Sequence, residues 1–275
     1  MIVTNGELLK KAKGAGYAVP AFNVDNLESV LGVLNAAYSV DKEIIIQTIP
    51  RTLKYGGVAT YSALVRALYK GKADLSIHLD HGGDIEICRE CIDAGYTSVM
   101  IDGSMLAFDK NVELTKQAVD MTHSLGVSVE GELGTIGGKE ETEGRIRYTE
   151  VDEAVEFVER TGVDSLAIGV GTSHGVYKGT PHIAVDRIRE IAAAVDIPLV
   201  LHGASGLSDD VIRDCIHAGI SKINFATQLR QAFTQGLKEG LACGEATYDP
   251  KTYLPYAIRA VQQAAEKIIK LCHGL

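Results

Sequence analysis

Short apolar runs rich in β-branched residues recur along the chain, and each is followed by a turn and an amphipathic stretch. Each run is nearly continuous in apolar residues, which is typical of strands buried on both faces of a parallel sheet. The eight runs lie at 18–24, 43–49, 74–80, 97–102, 127–133, 165–170, 198–203 and 221–226. Several of the amphipathic stretches end in glycine, a residue that commonly follows the C-terminus of a helix. The pattern therefore predicts alternating β/α units.

Eight β/α units favour an α/β fold in which one parallel sheet closes into a (β/α)8 barrel, the TIM barrel. An open, doubly wound sheet is the alternative. The length of 275 residues fits one barrel, and no linker or low-complexity segment divides the chain. We therefore expect residues 1–275 to form a single domain. The stretch from 250 to 275 has a helical pattern and predicts an extra C-terminal helix beyond the eighth unit.

Polar residues cluster where the predicted strands end, and in a β/α barrel the catalytic residues gather at that face. Three histidines, His81, His174 and His202, lie there, and each is followed by a glycine. Three neutral imidazoles can bind a divalent metal and leave a position open for substrate. Asp102 and Glu132 lie at the same face, where they either orient the imidazoles or offer another position for the metal. Salt bridges within the rim are their structural alternative.

Two short loops of small residues follow the seventh and eighth runs, at 202–206 and 224–227. In β/α barrels these loops frequently bind phosphate, because backbone N–H groups and helix N-termini there attract anions. Tight packing of loop against helix is the alternative interpretation. A third loop, 134–144, is rich in glycine and charge. It is either a solvated surface loop or a mobile lid that brings an acid over the site.

The 27 basic and 36 acidic residues leave a net charge of -9, which argues against a general nucleic-acid binder or a binder of acidic membranes. A small phosphorylated substrate needs only a few local basic groups. No segment resembles a signal peptide or a membrane span. The five cysteines are an odd, scattered number, which favours reduced thiols. We expect a cytoplasmic enzyme without nucleic-acid or membrane partners.

Together these residues resemble the class II, metal-dependent ketose-bisphosphate aldolases, in particular the shorter group of fructose- and tagatose-1,6-bisphosphate enzymes. The resemblance covers nearly the whole chain, and its motifs occur in the expected order. They are PAFNV, LDHG, MIDGS, VEGELG with a following GG-x-E, GTSHG-x-Y, LHGASG and KIN-x-AT. The resemblance implies a lyase of carbohydrate metabolism, such as glycolysis, that reversibly cleaves a ketose bisphosphate to dihydroxyacetone phosphate and an aldehyde through a zinc-stabilised enediolate.

The resemblance also implies a role for individual residues. His81, His174 and His202 would bind the catalytic zinc, and Asp102 and Glu132 resemble a second position for a divalent or a monovalent cation. Asp80 resembles the acid that exchanges a proton with the aldehyde oxygen, and Glu140 the residue that exchanges a proton at the enediolate carbon. The residues that resemble the dihydroxyacetone-phosphate site are Gly175, Gly203, Ala204, Ser205, Asn224, Ala226 and Thr227.

The chain departs from the family after the second run, where Ile49 and Arg51 replace a small polar residue and a glycine. This loop faces the far end of the substrate in the family, so the aldehyde partner and the choice between fructose and tagatose bisphosphate stay open. We predict that Arg51 binds an anionic group on the aldehyde through a bidentate contact. A solvent-exposed arginine is the alternative. By resemblance we expect a homodimer or homotetramer, in which Arg259 lies near an arginine that the family uses across a subunit boundary.

Two functions of other kinds compete with a ketose phosphate aldolase. A barrel metallohydrolase would need extra carboxylate ligands and would not need two phosphate-type loops. A noncatalytic accessory subunit of an aldolase should have lost part of the metal set, whereas Asp80 and the three histidines are all present. Within the aldolases, an enzyme that accepts a different acidic aldehyde, or a non-phosphorylated one, is the alternative.

Overall fold

The computed structural model describes residues 1–137, 147–175, 177, 179, 181–243 and 248–275. Eight parallel strands form a closed barrel in which each strand pairs with its neighbours in sequence and the last pairs with the first. They are β1 (Val19–Asn23), β2 (Ile44–Thr48), β3 (Leu75–Gly82), β4 (Ser98–Ile101), β5 (Ser128–Leu133), β6 (Ser165–Ile168), β7 (Leu199–Leu201) and β8 (Ile220–Phe225). The closed barrel confirms the predicted fold class, and each strand lies within or next to one of the eight apolar runs.

Helices surround the barrel and pack their apolar sides against it. In the described part of the chain they are α1 (Asn5–Ala15), α2 (Leu27–Val40), α3 (Pro50–Gly56), α4 (Val58–Leu68), α5 (Ile85–Asp93), α6 (Phe108–Thr122), α7 (Val151–Thr161), α8 (Val185–Ala194), α9 (Asp209–His217), α10 (Thr227–Ala242) and α11 (Pro250–Cys272). The last of these is the predicted C-terminal helix, and it packs against α2 and α10. Among the described residues, none of the helices combines the length and hydrophobicity needed to cross a membrane.

The first helix, α1, precedes the first strand and was not among the predicted elements. It begins with a capping box, in which Thr4 and Glu7 satisfy each other's backbone N–H groups. Its buried side chains join inward-facing strand residues in a small core that closes the N-terminal end of the barrel. That core contains Leu8, Leu9, Ala12, Val19, Ala21 and Ile45. Because one end is filled in this way, the functional cavity lies at the other end, where the carboxyl ends of the strands meet.

Candidate active site

A bulge in β3 places two neighbouring polar side chains on the same side of the barrel rim. Leu79 pairs with Val99 and Gly82 pairs with Ile101, so β3 has one residue more than β4 in this interval. In a regular strand the side chains of Asp80 and His81 would point to opposite faces. Here His81 has a φ of 53°, in the left-handed region, and its Nε2 lies 3.8 Å from Asp80 Oδ1. The strained backbone therefore joins the two side chains at one site.

The structure brings the three predicted metal ligands together. His81, His174 and His202 come from β3 and from the loops after β6 and β7, and each offers a ligand atom within 4.8 Å of the other two. The ring centroid of His81 lies 5.2 Å from that of His174 and 4.7 Å from that of His202. Three nitrogen donors at this separation fit a divalent transition metal such as zinc.

A buried chain of charges holds His202 in place. Its Nε2 lies 2.9 Å from Glu130 Oε1, and Lys222 Nζ donates to Glu130 Oε2 over 2.7 Å. All three side chains are fully buried. Because a carboxylate only accepts hydrogen bonds, the hydrogen of His202 lies on Nε2, and its Nδ1 is left as a lone-pair donor. That Nδ1 lies 3.2 Å from His81 Nε2, on the side where a metal would bind.

Carboxylates surround His81 on its other side. His81 Nδ1 lies 2.8 Å from Asp102 Oδ2 and 3.8 Å from Glu132 Oε2. Burial alone would lower the pKa of His81, but the carboxylates of Asp80, Asp102 and Glu132 outweigh it and raise that pKa to about 9. The site therefore has a negative field that attracts a cation. His81, Asp102 and Glu132 also form a second group whose ligand atoms lie within 4.8 Å of one another, a separation that fits a second cation position.

Asp80 is held by three side-chain amides. Asn23 and Gln47 donate to its Oδ2 over 2.8 and 3.1 Å, and Asn224 donates to its Oδ1 over 3.1 Å. Burial alone would raise the pKa of Asp80, but the positive charges around it, that of His81 first, and the hydrogen bond from Asn23 lower it to about 2. The carboxylate is thus fixed in position beside the imidazole cluster.

A cavity of about 440 Å³ opens above these groups. Most of the residues predicted from the sequence line it: Arg51, Asp80, His81, His174, Gly175, Gly203, Ser205, Asn224, Ala226 and Thr227. Ala204 is buried beside them in the loop after β7. This volume lies in the range of small-molecule sites.

The loops after β7 and β8 form one wall of the cavity. Gly203 has a φ of 70°, and a Cβ there would lie 2.7 Å from the backbone oxygen of Ser173, so only glycine fits. Ser205 Oγ accepts a hydrogen bond from the backbone N–H of Ala226 over 3.4 Å, which ties the two loops together. The sixteen-residue helix α10 begins at Thr227, so its positive N-terminal end lies at this wall.

Two predicted residues are not placed at the site by the described structure. Arg259 is exposed on α11, where its guanidinium lies 5.7 Å from the ring centroid of Tyr256. Its expected role across a subunit boundary stays a prediction. Glu140 lies outside the described residues, and so does most of the loop 134–144, so both interpretations of that loop, a solvated surface loop and a lid, stay predictions.

The sequence assigned no role to five residues of the site: Asn23, Gln47, Glu130, Lys222 and Arg230. The first four are polar residues inside otherwise apolar strands, and a buried charge in such a position requires a partner. That signal predicts pairing but does not say which strand supplies the partner. Arg230 lies in the first turn of α10, lines the cavity and forms a bidentate ion pair with Asp25.

The chain is similar to known proteins over nearly its whole length. A family model described as fructose-bisphosphate aldolase class-II matches residues 3–274. The crystal structure of the YdjI aldolase from Escherichia coli K12 is 35% identical, with a TM-score of 0.89 over 99% of this chain and 97% of that one. A Coccidioides immitis protein, provisionally described as a fructose-1,6-bisphosphate aldolase, is 28% identical, with a TM-score of 0.88 over 97% and 95% of the chains.

The fructose-bisphosphate aldolase of Campylobacter jejuni, at 23% identity, shows the same fold with a TM-score of 0.84 over 99% of this chain and 95% of that one. Class-II aldolases depend on a metal ion and act on small sugar phosphates, and the three-imidazole group fits such an ion. The chain therefore belongs to the class-II fructose-bisphosphate aldolase family and is a lyase.

Proposed function

We propose that this enzyme is a zinc-dependent aldolase that reversibly cleaves a ketose phosphate, of the fructose- or tagatose-1,6-bisphosphate type, into dihydroxyacetone phosphate and an aldehyde. One observation carries the proposal. The Asp80 carboxylate lies beside the three-imidazole group, in a cavity whose wall is formed by the loops after β7 and β8. A proton-transferring group, a metal site and an anion-binding wall are the three elements that this reaction needs.

His81, His174 and His202 would hold the zinc ion. When bound there, the ion supplies Lewis-acid stabilisation of the negative charge that develops on the ketone and hydroxyl oxygens as the C3–C4 bond breaks. Glu130 orients His202 and Asp102 orients His81, because each carboxylate accepts the hydrogen of the ring nitrogen that faces away from the zinc position.

Asp80 would handle the proton of the C4 hydroxyl. Three amide donors stabilise its ionised form, so in the cleavage direction the carboxylate is ready to accept that proton as the aldehyde forms. In the condensation direction the same group returns the proton to the aldehyde oxygen. The amides also keep the carboxylate from rotating, which fixes the direction of the transfer.

The loops after β7 and β8 would bind the phosphate of the dihydroxyacetone-phosphate half. Gly203 lets the backbone approach the ligand closely, and the N-terminal end of α10 favours the negative charge. Binding energy from this remote group positions the reacting carbons over the metal site. Glu140, which lies outside the described residues, would exchange a proton at the enediolate carbon of the dihydroxyacetone-phosphate half.

The test is an Asp80→Asn variant assayed for release of dihydroxyacetone phosphate from fructose and tagatose 1,6-bisphosphates. Asparagine keeps the shape and cannot accept the proton, so kcat should fall by roughly 10²- to 10⁴-fold. The zinc content, measured by elemental analysis, should match that of the wild type. A chelator should abolish wild-type activity and added zinc should restore it. Activity that survives chelation, or an unchanged kcat in the variant, would contradict the proposal.

A further inference from the structure

A second cavity of about 410 Å³ adjoins the first on the side of β1 and β2. Its lining residues are Asp25, Ile49, Arg51, Thr52, Tyr55 and Arg230. Ile49, Arg51 and Arg230 line both cavities, so they form the boundary between them. A ligand that extends away from the metal position toward β2 meets two guanidinium groups at this boundary.

Arg230 is oriented by its neighbours. Its Nε donates to Asp25 Oδ2 over 2.7 Å and its Nη2 donates to Asp25 Oδ1 over 3.0 Å, while Thr52 Oγ1 donates to the same Oδ1 over 2.8 Å. Asp25 is thus engaged on both oxygens. The remaining terminal nitrogen of Arg230, Nη1, makes no hydrogen bond to the described residues. The guanidinium is therefore held in one orientation with part of its donor capacity free for a ligand.

Arg51, at the second position of α3, has neither a hydrogen bond nor an ion pair to the residues that the structure describes, and it is exposed. The two arginines and the single carboxylate of Asp25 leave a local net charge of +1, in a chain whose net charge is -9. The charge of Arg51 acts on Asp25 and lowers the pKa of that carboxyl, but the N–H groups of Arg51 make no hydrogen bond to the described residues. An arginine with free donors at a cavity wall, next to an oriented one, is suited to a planar or tetrahedral acid group.

We propose that Arg51 and Arg230 form a second anion site, which selects aldehydes that carry a carboxylate or phosphate at the end remote from the carbonyl. The proposal rests on the proposed function, because it assigns the first anion site, at the loops after β7 and β8, to the dihydroxyacetone-phosphate half. An acid group between the arginines then belongs to the other product of cleavage. The second cavity leaves room there for an aldehyde longer than three carbons.

The experiment measures condensation with dihydroxyacetone phosphate for two matched pairs of aldehydes. Glyceraldehyde 3-phosphate is compared with glyceraldehyde, and succinic semialdehyde with butanal, in the wild type, Arg51→Ala and Arg51→Lys. Arg89→Ala is the matched control, since Arg89 is an exposed arginine on α5 that lines neither cavity. It changes the net charge of the chain by the same amount as Arg51→Ala.

We expect Arg51→Ala to lower kcat/KM for at least one acidic aldehyde by roughly 10- to 100-fold, the value of a charged hydrogen-bonded contact. Arg51→Lys should lose less, because it keeps the charge without the bidentate fork. The neutral aldehydes and Arg89→Ala should be unaffected. A loss confined to succinic semialdehyde assigns the site to carboxylates, and a loss confined to glyceraldehyde 3-phosphate assigns it to phosphates. An equal loss for acidic and neutral aldehydes, or no loss, overturns the proposal.

Absence of any condensation product in the wild type would instead refute the proposed function. The anion site is then judged by calorimetric titration with succinate, a probe that needs no turnover. Weaker succinate binding in Arg51→Ala, with unchanged binding in Arg89→Ala, supports the site. Equal binding in both variants and the wild type overturns it.

Discussion

Substitution of Lys222 tests whether a buried network of charged side chains supports the metal site. It lies on β8 with no exposed surface, and its ammonium donates to Glu130 over 2.7 Å. Glu130 also accepts from His202 over 2.9 Å. A Lys222→Met variant keeps much of the side-chain length and removes the charge. Glu130 is then left in the barrel interior without its cation.

The complete burial of this ion pair determines how much stability Lys222→Met should lose. Removal of one partner from a buried ion pair costs about 3–5 kcal/mol, because the remaining charge stays desolvated and uncompensated. At about 2–4 °C per kcal/mol for a chain of this size, the melting temperature should fall by roughly 6–20 °C. Zinc affinity should also weaken by about 10- to 100-fold, since Glu130 without Lys222 no longer holds the His202 ring in one position.

Urea denaturation followed by circular dichroism gives the free energy of unfolding, and competition with a chromophoric chelator gives the zinc affinity. Lys116→Met is the control, because Lys116 forms an exposed pair with Asp120 and its loss should cost about 0.5 kcal/mol or less. The double variant Lys222→Met/Glu130→Gln should recover part of the lost stability, because glutamine is uncharged and can still accept from His202. A loss below about 1 kcal/mol in Lys222→Met, or no recovery in the double variant, would refute the reasoning.

Two further predictions concern the scaffold. Gly32→Ala in α2 should lower the free energy of unfolding by about 1–3 kcal/mol in denaturant titration. The reason is that the added Cβ would lie 2.7 Å from Val261 Cγ1 and 2.9 Å from the Ile258 carbonyl oxygen on α11. Unchanged stability would show that α2 and α11 can move apart without cost. Burial alone would raise the pKa of Glu43, but the hydrogen bond from Tyr17, a backbone hydrogen bond, the hydrogen bond from Lys11 and the charge of His273 together outweigh it and lower the pKa from 4.5 to about 2. Its stabilising contribution is therefore full above about pH 4.5 and is lost as the pH falls toward about 2. Glu43→Gln should flatten the stability profile in that window, and an unchanged profile would argue against this origin.

The local patterns of the chain carried much of the interpretation. Continuous apolar runs predict buried parallel strands, and glycines after amphipathic stretches predict helix ends, because both signals depend on neighbours within a few residues. Closure into a barrel followed from the number of runs. Polar residues at the strand ends indicated the functional face, because in such a fold all eight carboxyl ends meet there. The fold class and the aldolase family were confirmed on this basis.

Features that depend on how the strands pair in the closed barrel could not be predicted from local sequence patterns. The bulge at His81 is a mismatch in pairing between β3 and β4, so it exists only once the two strands are in register. The helix α1 has an amphipathic sequence of its own, but its role as the closure of the barrel end is defined by the residues that meet it there.

The side-chain pairs inside and around the site also depend on the tertiary structure. Lys222 and Glu130 are 92 residues apart, and Arg230 and Asp25 are 205 apart. The sequence by itself determined that the strands are buried on both faces, and that the polar residues at their ends make a site. Only the tertiary structure decided which carboxylate pairs with Lys222, which amides hold Asp80, and that Arg51 and Arg230 share one boundary. The physical reason is that the spacing of apolar and polar residues, which identifies strands and helices, depends on neighbours along the chain. Contacts across a barrel depend instead on its strand register and diameter.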